Sequence, residues 1–162
     1  MTEFVTNLLD FLTEEVIVFI VSMVPLIELR GAIPLGIFYG LGGLLTFMLT
    51  YPASLIPAPF IILFIEPIFK LLEKIKFFRW LIEKIVYRTR EKHSEKIEKY
   101  GYIGLFIIVA IPLPGTGVWS GSLAAALFGM AFKKSILMIV LGNLIAALVI
   151  LMLSLGVFSF IG

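Results

Sequence analysis

The sequence predicts an all-α integral membrane protein: two inverted repeats joined by a cationic amphipathic interfacial helix. Three observations lead to this prediction: the amount of apolar sequence, one charged segment in mid-chain, and a similarity between the two apolar halves. Hydrophobic residues make up 60% of the 162 residues and charged residues 15%, with a mean hydropathy of +1.11. A soluble domain is about half apolar and about a quarter charged. The polar surface that a soluble fold requires is therefore lacking.

The apolar residues form three blocks, each longer than the roughly 20 residues that a membrane-crossing helix needs. The blocks cover residues 16–65, 101–132 and 135–162. The first fifteen residues carry acids but no lysine or arginine, which is the reverse of the basic start of a signal peptide. We therefore expect one membrane domain over the whole chain, with no cleaved leader.

The first predicted repeat covers residues 16–65. We divide it into a re-entrant helical hairpin over 16–43 and a crossing helix over 44–65. Three prolines predict a kink or break in the crossing helix; they are Pro52, Pro57 and Pro59.

The connector, residues 66–100, is cationic and amphipathic. It contains ten Lys and Arg residues and six Glu residues, so its balance is 10 − 6 = +4. Its apolar residues recur at helical spacing as far as Val86, and aromatic residues lie among the cations, which is typical of a helix in the membrane interface. We expect residues 70–99 to bind anionic lipid headgroups, and not nucleic acid. The alternative is that the segment only links two membrane halves.

The distribution of cations predicts the orientation in the membrane. Twelve of the thirteen Lys and Arg residues lie at 70–99 or 133–134. The positive-inside rule places both segments on the cytoplasmic side of a plasma membrane that the chain crosses more than once. The acidic N-terminus is then expected outside.

The second predicted repeat covers residues 103–160. Its apolar start lies between two cytoplasmic segments, so it must enter the membrane and return. The arms 103–111 and 118–130 reach roughly 14–20 Å at 1.5 Å per residue, short of the ~30 Å hydrocarbon core. This predicts a re-entrant hairpin over 103–130, followed by a crossing helix over 135–160.

An offset of 87 residues aligns the two repeats, and an insertion of two residues, placed near Lys133 and Lys134, extends the match. The aligned parts are 19–26 with 106–113, Pro25 with Pro112, Gly42 with Gly129, and 53–63 with 142–152. Because one crossing helix separates the copies, we expect them to be inverted, as in many transporters.

The predicted hairpin tips carry the candidate site near the membrane midplane. A charged side chain there is costly and indicates function, which applies to Glu28 and Arg30 in LIELRGAIP. Gly31 and Pro34 predict a helix break here, so a purely structural pair is the alternative. Arg30 is expected to hold an anionic group. Glu28 is a candidate for proton coupling, because a carboxyl near the bilayer centre can bind and release a proton.

The second tip, PLPGTG, supplies flexible backbone and a helix start, whose N–H groups favour an anion. Thr116 and Ser120 are candidates to cap that helix or to contact a ligand, and capping alone is expected for one of them. In the crossing helices, Ser54 and Asn143 are candidates for lining a path, whereas Thr46 and Thr50 are expected to bond between helices. The candidate binding residues are Glu28, Arg30, Ser54, Gly115, Thr116, Gly117, Ser120 and Asn143.

Ordinary enzyme chemistry is not expected. The chain has no HExxH, no GxSxG and no phosphate-binding GxxxxGK[ST] motif. It has no cysteine and one histidine, His93, so neither a metal site nor another cofactor is predicted. With two full crossings per chain, a homodimer is expected to help enclose the hairpins.

Two stretches, ELRGAIPLGI at 28–37 and IPLPGTGVWSGSLAAALFGM at 111–130, carry a resemblance to a known family. Across nearly the whole chain the sequence resembles the small multidrug export proteins of bacteria and archaea. It is more distantly similar to the DedA superfamily, in which an acidic residue precedes prolines in the first hairpin, as Glu28 precedes Pro34. That superfamily carries an arginine near its second tip, whereas residues 112–121 here contain none.

The resemblance implies transport, with two substrate classes. DedA-like proteins are associated with moving polyprenyl phosphates or phospholipids, whereas the name of the closer family implies drug export. Because Arg30 disfavours cationic drugs, we predict a transporter or flippase for an anionic amphiphile, with its site between the two tips. The alternatives are a proton-coupled multidrug exporter and a non-transporting membrane organiser that works through residues 66–100.

Overall fold

In the computed structural model, the described residues are 13–72, 74–113 and 115–161, and they form α-helices joined by turns, with no strand among them. The predicted all-α class is confirmed. The acids Glu3 and Asp10 of the predicted external N-terminus lie outside the described residues. The helices are α1 Glu14–Met23, α2 Glu28–Phe38, α3 Gly43–Leu55, α4 Pro57–Leu72, α5 Lys76–Tyr100, α6 Tyr102–Ala110, α7 Val118–Leu127 and α8 Phe132–Ile161.

The helices group into two compact units. Unit 1 comprises residues 1–55 and 145–162, and so contains α1, α2, α3 and the second half of α8. Unit 2 comprises residues 56–144, with α4, α5, α6, α7 and the first half of α8. We call α1–α2 helix pair 1 and α6–α7 helix pair 2.

In unit 1, α1 packs against α2 and α3, and α2 packs against α3. Leu29 and Ile33 of α2 form a buried cluster with three residues of α8, Ala146, Ala147 and Ile150. Two alanines in adjacent positions allow close approach of a helix backbone, as is typical where helices associate in membranes. The core of this unit therefore lies against the side of α2 that carries Leu29 and Ile33.

In unit 2, α7 packs against α4 and α6, and α5 packs against α6 and α7. Two glycines mark the closest contacts. A Cβ added at Gly121 would lie 2.5 Å from Val109 Cγ2, and one added at Gly142 would lie 2.8 Å from the carbonyl oxygen of Phe106. Both α7 and α8 therefore approach α6 as closely as a glycine permits.

The ends of the helices follow local chemistry. Thr13 caps α1 by accepting a hydrogen bond from the Val16 N–H at 3.4 Å, and two acids follow in the first turn, where the helix dipole favours them. At their C-terminal ends, α2 and α7 stop at Gly40 and Gly129, which have φ of +79° and +62°. This left-handed glycine is a common helix stop, and it turns the chain into α3 or α8.

Several helix ends recur at a spacing of 87 or 89 residues along the two halves. α1 ends at Met23 and α6 at Ala110, 87 residues later, whereas α2 ends at Phe38 and α7 at Leu127, 89 residues later. The spacing also equals 89 for the buried positions of the long helices. These pairs are Thr46 and Ser135, Thr50 and Ile139, Ala53 and Gly142, Ser54 and Asn143, Pro57 and Ala146, Ala58 and Ala147, and Ile61 and Ile150.

Several predicted boundaries change. The spacing is already 89 residues at Gly115, before α7 begins, whereas the predicted alignment changes from 87 to 89 near Lys133 and Lys134. Gly40 lies 89 residues before Gly129, whereas the predicted alignment pairs Gly42 with Gly129. The first crossing segment continues to Leu72, beyond the predicted end at 65, because its apolar residues remain in helical register.

The proline-rich helix breaks at a single point. Ile56 forms a turn between α3 and α4, and Pro57 occupies the first position of α4, where its missing N–H has no helical partner to lose. Pro52 and Pro59 lie inside helices. The predicted break is therefore confirmed at one of the three prolines.

Candidate functional site

The charged stretch in α2 is an ion pair. The Arg30 Nη1 donates to Glu28 Oε2 at 2.7 Å, and the Glu28 side chain is 2% exposed and that of Arg30 12%. Residues two apart in a regular helix point to different sides, but Glu28 has φ of +49° and stands at the very start of α2. This turn of the backbone lets the two side chains meet.

The helix break that permits the pair lies upstream of its predicted place. Gly31 and Pro34 are both inside α2, whereas the chain turns at residues 24–27. We call residues 24–28 tip 1. Within it Leu26 also has a positive φ, of 73°, and is 82% exposed. A non-glycine residue in this conformation is strained, and such strain is concentrated at functional sites.

Packing holds the helix that bears the pair. Leu29, between the two charged residues, is fully buried, as is Ile33 one turn later. Gly36 lies against Thr46 of α3, because a Cβ added there would be 2.6 Å from Thr46 Cγ2. α2 is thus pinned on both sides, and the ion pair is attached to a rigid helix start.

We call residues 111–113 and 115–117 tip 2; two of them also have a positive φ, and both are glycines. Gly115 and Gly117 have φ of +71° and +119°, and each lies 89 residues after Leu26 and Glu28. The counterpart of Arg30 at this spacing is Trp119. At the spacing of 89 residues, the glycines of tip 2 thus correspond to a leucine and a glutamate in tip 1.

The hydroxyl groups near tip 2 bind to its own backbone. Thr116 Oγ1 lies 2.7 Å from the Ile111 carbonyl oxygen and 2.6 Å from that of Leu113, so it holds the loop together. Ser120 Oγ lies 3.4 Å from the Gly117 carbonyl oxygen in the first turn of α7. Neither hydroxyl acts as the predicted side-chain cap, because the start of α7 has no capping side-chain bond.

The path candidates in the long helices are fully buried. Ser54 and Asn143 are each 0% exposed, and Ser54 donates to the Tyr51 carbonyl at 2.8 Å. Thr50 donates to the Thr46 carbonyl at 2.8 Å, which is a bond within α3 and not between helices as predicted. Among the described residues, Thr46 Oγ1 has no hydrogen-bond partner.

The predicted site residues are divided between the units. Glu28, Arg30 and Ser54 belong to unit 1, where the first two are in contact. The others belong to unit 2, and Thr116 lies with its neighbouring glycines in tip 2; they are Gly115, Thr116, Gly117, Ser120 and Asn143. Within the part of the chain that the structure describes, no three His, Cys, Asp or Glu residues come together to hold a metal ion.

Two features of the site were missed from the sequence. One is the strained backbone at Leu26. An alignment of the two halves with an offset of 89 residues would have paired Leu26 with Gly115, and a glycine at that position is a signal for a positive φ. The other is the Ser122 hydroxyl, which is fully buried in α7 without a hydrogen-bond partner among the described residues. Nothing in the local sequence distinguishes Ser122 from an ordinary packed serine.

The fold defines a helical membrane protein. Two stretches are long and apolar enough to cross a bilayer: Gly43–Leu72, which includes α3 and α4, and Phe132–Gly156 in α8. Only 17% and 33% of their most apolar windows are buried, unlike the core helix of a soluble protein. Composition and exposure together indicate a membrane location.

The family follows from comparison with known proteins. The family described as "Putative small multi-drug export protein" matches residues 28–149. The chain belongs to this family of membrane export proteins, as its sequence resemblance predicted. No curated protein and no solved structure matches the chain. The resemblance to the DedA superfamily stays a prediction.

Proposed function

We propose that the protein is a membrane transporter that moves an anionic amphiphile, a polyprenyl phosphate or a phospholipid, by way of the Glu28–Arg30 pair. The observation that carries this proposal is a buried ion pair on strained backbone in an otherwise apolar run. Ionisable groups in this setting are costly to a membrane protein and mark substrate or proton pathways. Membership of an export family supports transport as the activity.

Helix pairs 1 and 2 are, in this proposal, re-entrant hairpins. Their helices have 10, 11, 9 and 10 residues. At 1.5 Å per residue they reach about 14–17 Å, which is about half of a ~30 Å hydrocarbon core. Both tips then come near the membrane midplane.

A contact at the base of helix pair 2 supports the return of the chain. The Ala131 N–H, just before α8, donates to the Tyr102 hydroxyl, at the start of α6, at 3.0 Å. The two ends of this helix pair therefore lie together. The spacing of 87 and 89 residues supports the same form for helix pair 1, and one crossing segment between the copies makes them inverted.

The ion pair has the chemistry for coupling a proton to an anion. While Glu28 is charged, it neutralises Arg30 at 2.7 Å. A proton on Glu28 removes this compensation, and the guanidinium then favours a phosphate or carboxylate, which it can bind through two N–H groups. Departure of the anion restores the pair when Glu28 releases its proton. Proton and substrate thus bind together and leave together at one site.

The second candidate function is a proton-coupled exporter of small drugs, of which the description of the family favours only the multi-drug export. In that case a cationic drug displaces Arg30 and binds the Glu28 carboxylate. The third is a membrane organiser without transport, which works through α5. This third function predicts that Glu28 and Arg30 are dispensable.

Transport by the purified protein in liposomes tests the proposal. We expect movement of a labelled polyprenyl phosphate or phospholipid that depends on a pH gradient, and its loss in Glu28→Gln and in Arg30→Ala. Binding separates the two variants: Glu28→Gln mimics the protonated acid and keeps anion binding, whereas Arg30→Ala loses it. Glu66→Gln is the matched control, because Glu66 is exposed on α4.

Two outcomes would overturn parts of the proposal. Undiminished transport in both variants would remove the pair from the site and favour the organiser. Uptake of a lipophilic cation, with none of the anionic lipids, would replace the substrate class and favour the drug exporter.

Single cysteines test the proposed topology, since the chain has none of its own. We expect residues 90 and 133 to react with an impermeant thiol reagent only from the cytoplasmic side, and residue 3 only from outside. A cytoplasmic residue 3 would contradict the inverted arrangement.

A further inference from the structure

The long cationic helix α5 has two faces with different surroundings. Ile82 is 3% exposed and Thr89 9%, and α5 packs against α6 and α7. Residues seven apart lie on one side of a helix, so this side is used for packing within unit 2. One residue of the apolar stripe that was predicted to contact lipid, Ile82, therefore packs against protein instead.

The opposite face of α5 is aromatic and cationic. Trp80 and Tyr87, also seven residues apart, are 58% and 67% exposed. The Lys84 Nζ lies 4.9 Å from the centroid of the Trp80 ring. We call Arg79, Trp80, Lys84, Tyr87 and Arg88 the outer face of α5; all are exposed, and Glu83 is the acid among the described residues between Arg79 and Arg88.

Further aromatic–cation pairs lie where α5 meets helix pair 2. Lys99 Nζ is 5.2 Å from the centroid of the Tyr100 ring, and Lys134 Nζ is 5.6 Å from that of Tyr102. Tyrosine and tryptophan collect at the level of the lipid headgroups, and cations on the cytoplasmic side do the same. These pairs support a position of the end of α5 at the membrane surface.

We propose that the outer face of α5 docks on the headgroups of anionic lipids in the membrane that holds the protein. Charge complementarity identifies this occupant, because three cations face outward against one acid between residues 79 and 88. The indole and phenol rings, each with an apolar body and a polar end, fit the same layer. This surface is formed by α5 and not by α2, which carries the ion pair, so the proposal does not depend on the proposed transport.

Quenching of Trp80 by brominated lipids tests this surface directly. The chain has two tryptophans, Trp80 and Trp119, so Trp119→Phe leaves Trp80 as the sole fluorophore. In nanodiscs that mix the two lipids, we expect strong quenching when phosphatidylglycerol is the brominated lipid and weak quenching when phosphatidylcholine is. Should Trp119→Phe fail to fold, the emission of Trp80 is obtained by subtracting the fluorescence of Trp80→Phe from that of the natural chain.

Removing charge from the outer face should abolish the preference. In Lys84→Gln/Arg88→Gln we expect the preference for phosphatidylglycerol to fall by about fivefold for each cation removed. The control, Lys133→Gln, removes one exposed cation outside residues 70–99 and should keep the preference.

Three results would overturn the proposal. They are equal quenching by the two brominated lipids, a preference that survives loss of both outer-face cations, and an emission quenched only by a water-soluble agent. The last result would place Trp80 in water or in reach of a soluble partner. Loss of transport in the Glu28 variants would leave all three readouts unchanged.

Discussion

The tip of helix pair 1 enters the left-handed backbone region at Leu26 and Glu28, and the tip of helix pair 2 does so at Gly115 and Gly117, 89 residues later in each case. Glycine adopts this conformation without steric cost, whereas other residues pay for it. Tip 2 is therefore built from residues suited to its shape. Tip 1 accepts strain and in return places a carboxylate beside Arg30.

The comparison assigns different tasks to the two tips. At tip 2 the Thr116 hydroxyl contacts two backbone carbonyl oxygens of its own loop, and no charged residue is present. In tip 1 the carboxylate of Glu28 is paired, in a buried position, with Arg30 in the first turn of α2. The ionic chemistry of the protein is thus expected at tip 1, and each prediction below alters one tip or its support.

The largest effect is expected from breaking the ion pair. Glu28→Ala leaves Arg30 buried without its acid, which costs about 3–5 kcal/mol of unfolding free energy. Arg30→Ala has a similar effect, and the double variant loses less than the sum of the two. Unfolding in detergent, followed by circular dichroism, measures all three. Glu66→Ala, at an exposed position, should stay within about 0.5 kcal/mol of the natural chain. If Glu28→Ala and Arg30→Ala each lowered the unfolding free energy by less than about 0.5 kcal/mol, and the double variant by the sum of the two, the two residues would not be coupled.

The next effect concerns the glycines that support each helix pair. Gly142→Ala should cost about 1–3 kcal/mol, because its Cβ meets a backbone oxygen at 2.8 Å that cannot move aside. Gly36→Ala should cost less, since the atoms it meets belong to the Thr46 side chain. Detergent unfolding compares the two variants. Adding Thr46→Ala should recover the stability lost in Gly36→Ala, because it removes the contacting atoms, and should not recover the stability lost in Gly142→Ala. Recovery in both backgrounds would contradict this assignment of the contacts.

Much of the fold could be predicted from the sequence, because hydropathy and helix stops are local signals. The helix bounds near Met23, Ala110 and Leu127 follow from prolines and glycines within a few residues. The position of the two extra residues could not be predicted. The predicted alignment pairs Pro25–Leu26 with Pro112–Leu113 because the residue types are identical, whereas the positive φ of Leu26 corresponds to that of Gly115. Nothing in the identity of a leucine indicates a left-handed conformation.

The candidate site could be predicted only in part. Charges in an apolar run identify Glu28 and Arg30 from composition alone. Their direct contact depends on the turn at residues 24–27, and the break was expected instead at Gly31 and Pro34. The burial of α5 at Ile82 was also out of reach, because an apolar stripe looks the same whether it meets lipid or another helix.

A smaller effect should follow from exchanging residues at the strained positions. Gly115→Ala forces a Cβ into left-handed backbone and should cost about 1–2 kcal/mol. Leu26→Gly relieves the same strain in tip 1 and should stabilise the protein by up to about 1 kcal/mol. Gly156→Ala is the control, because this glycine lies inside α8 with open space around its added Cβ. We expect a gain of about 0.5–1 kcal/mol there. Equal effects at the three positions would mean that backbone conformation is not the cause.

The smallest effect tests the base of helix pair 2. Tyr102→Phe removes the hydroxyl that accepts the Ala131 N–H at 3.0 Å, and it should lower the unfolding free energy by about 0.5–1.5 kcal/mol. Tyr100→Phe, two residues away and 48% exposed, should have no measurable effect. Amide exchange at Ala131 checks the cause, because this N–H should exchange faster in Tyr102→Phe alone. Unchanged exchange in that variant would mean that the contact does not hold the two ends of helix pair 2 together. The similarity between the two helix pairs would then be supported only by the φ values of their tips and by the spacing of their helix ends.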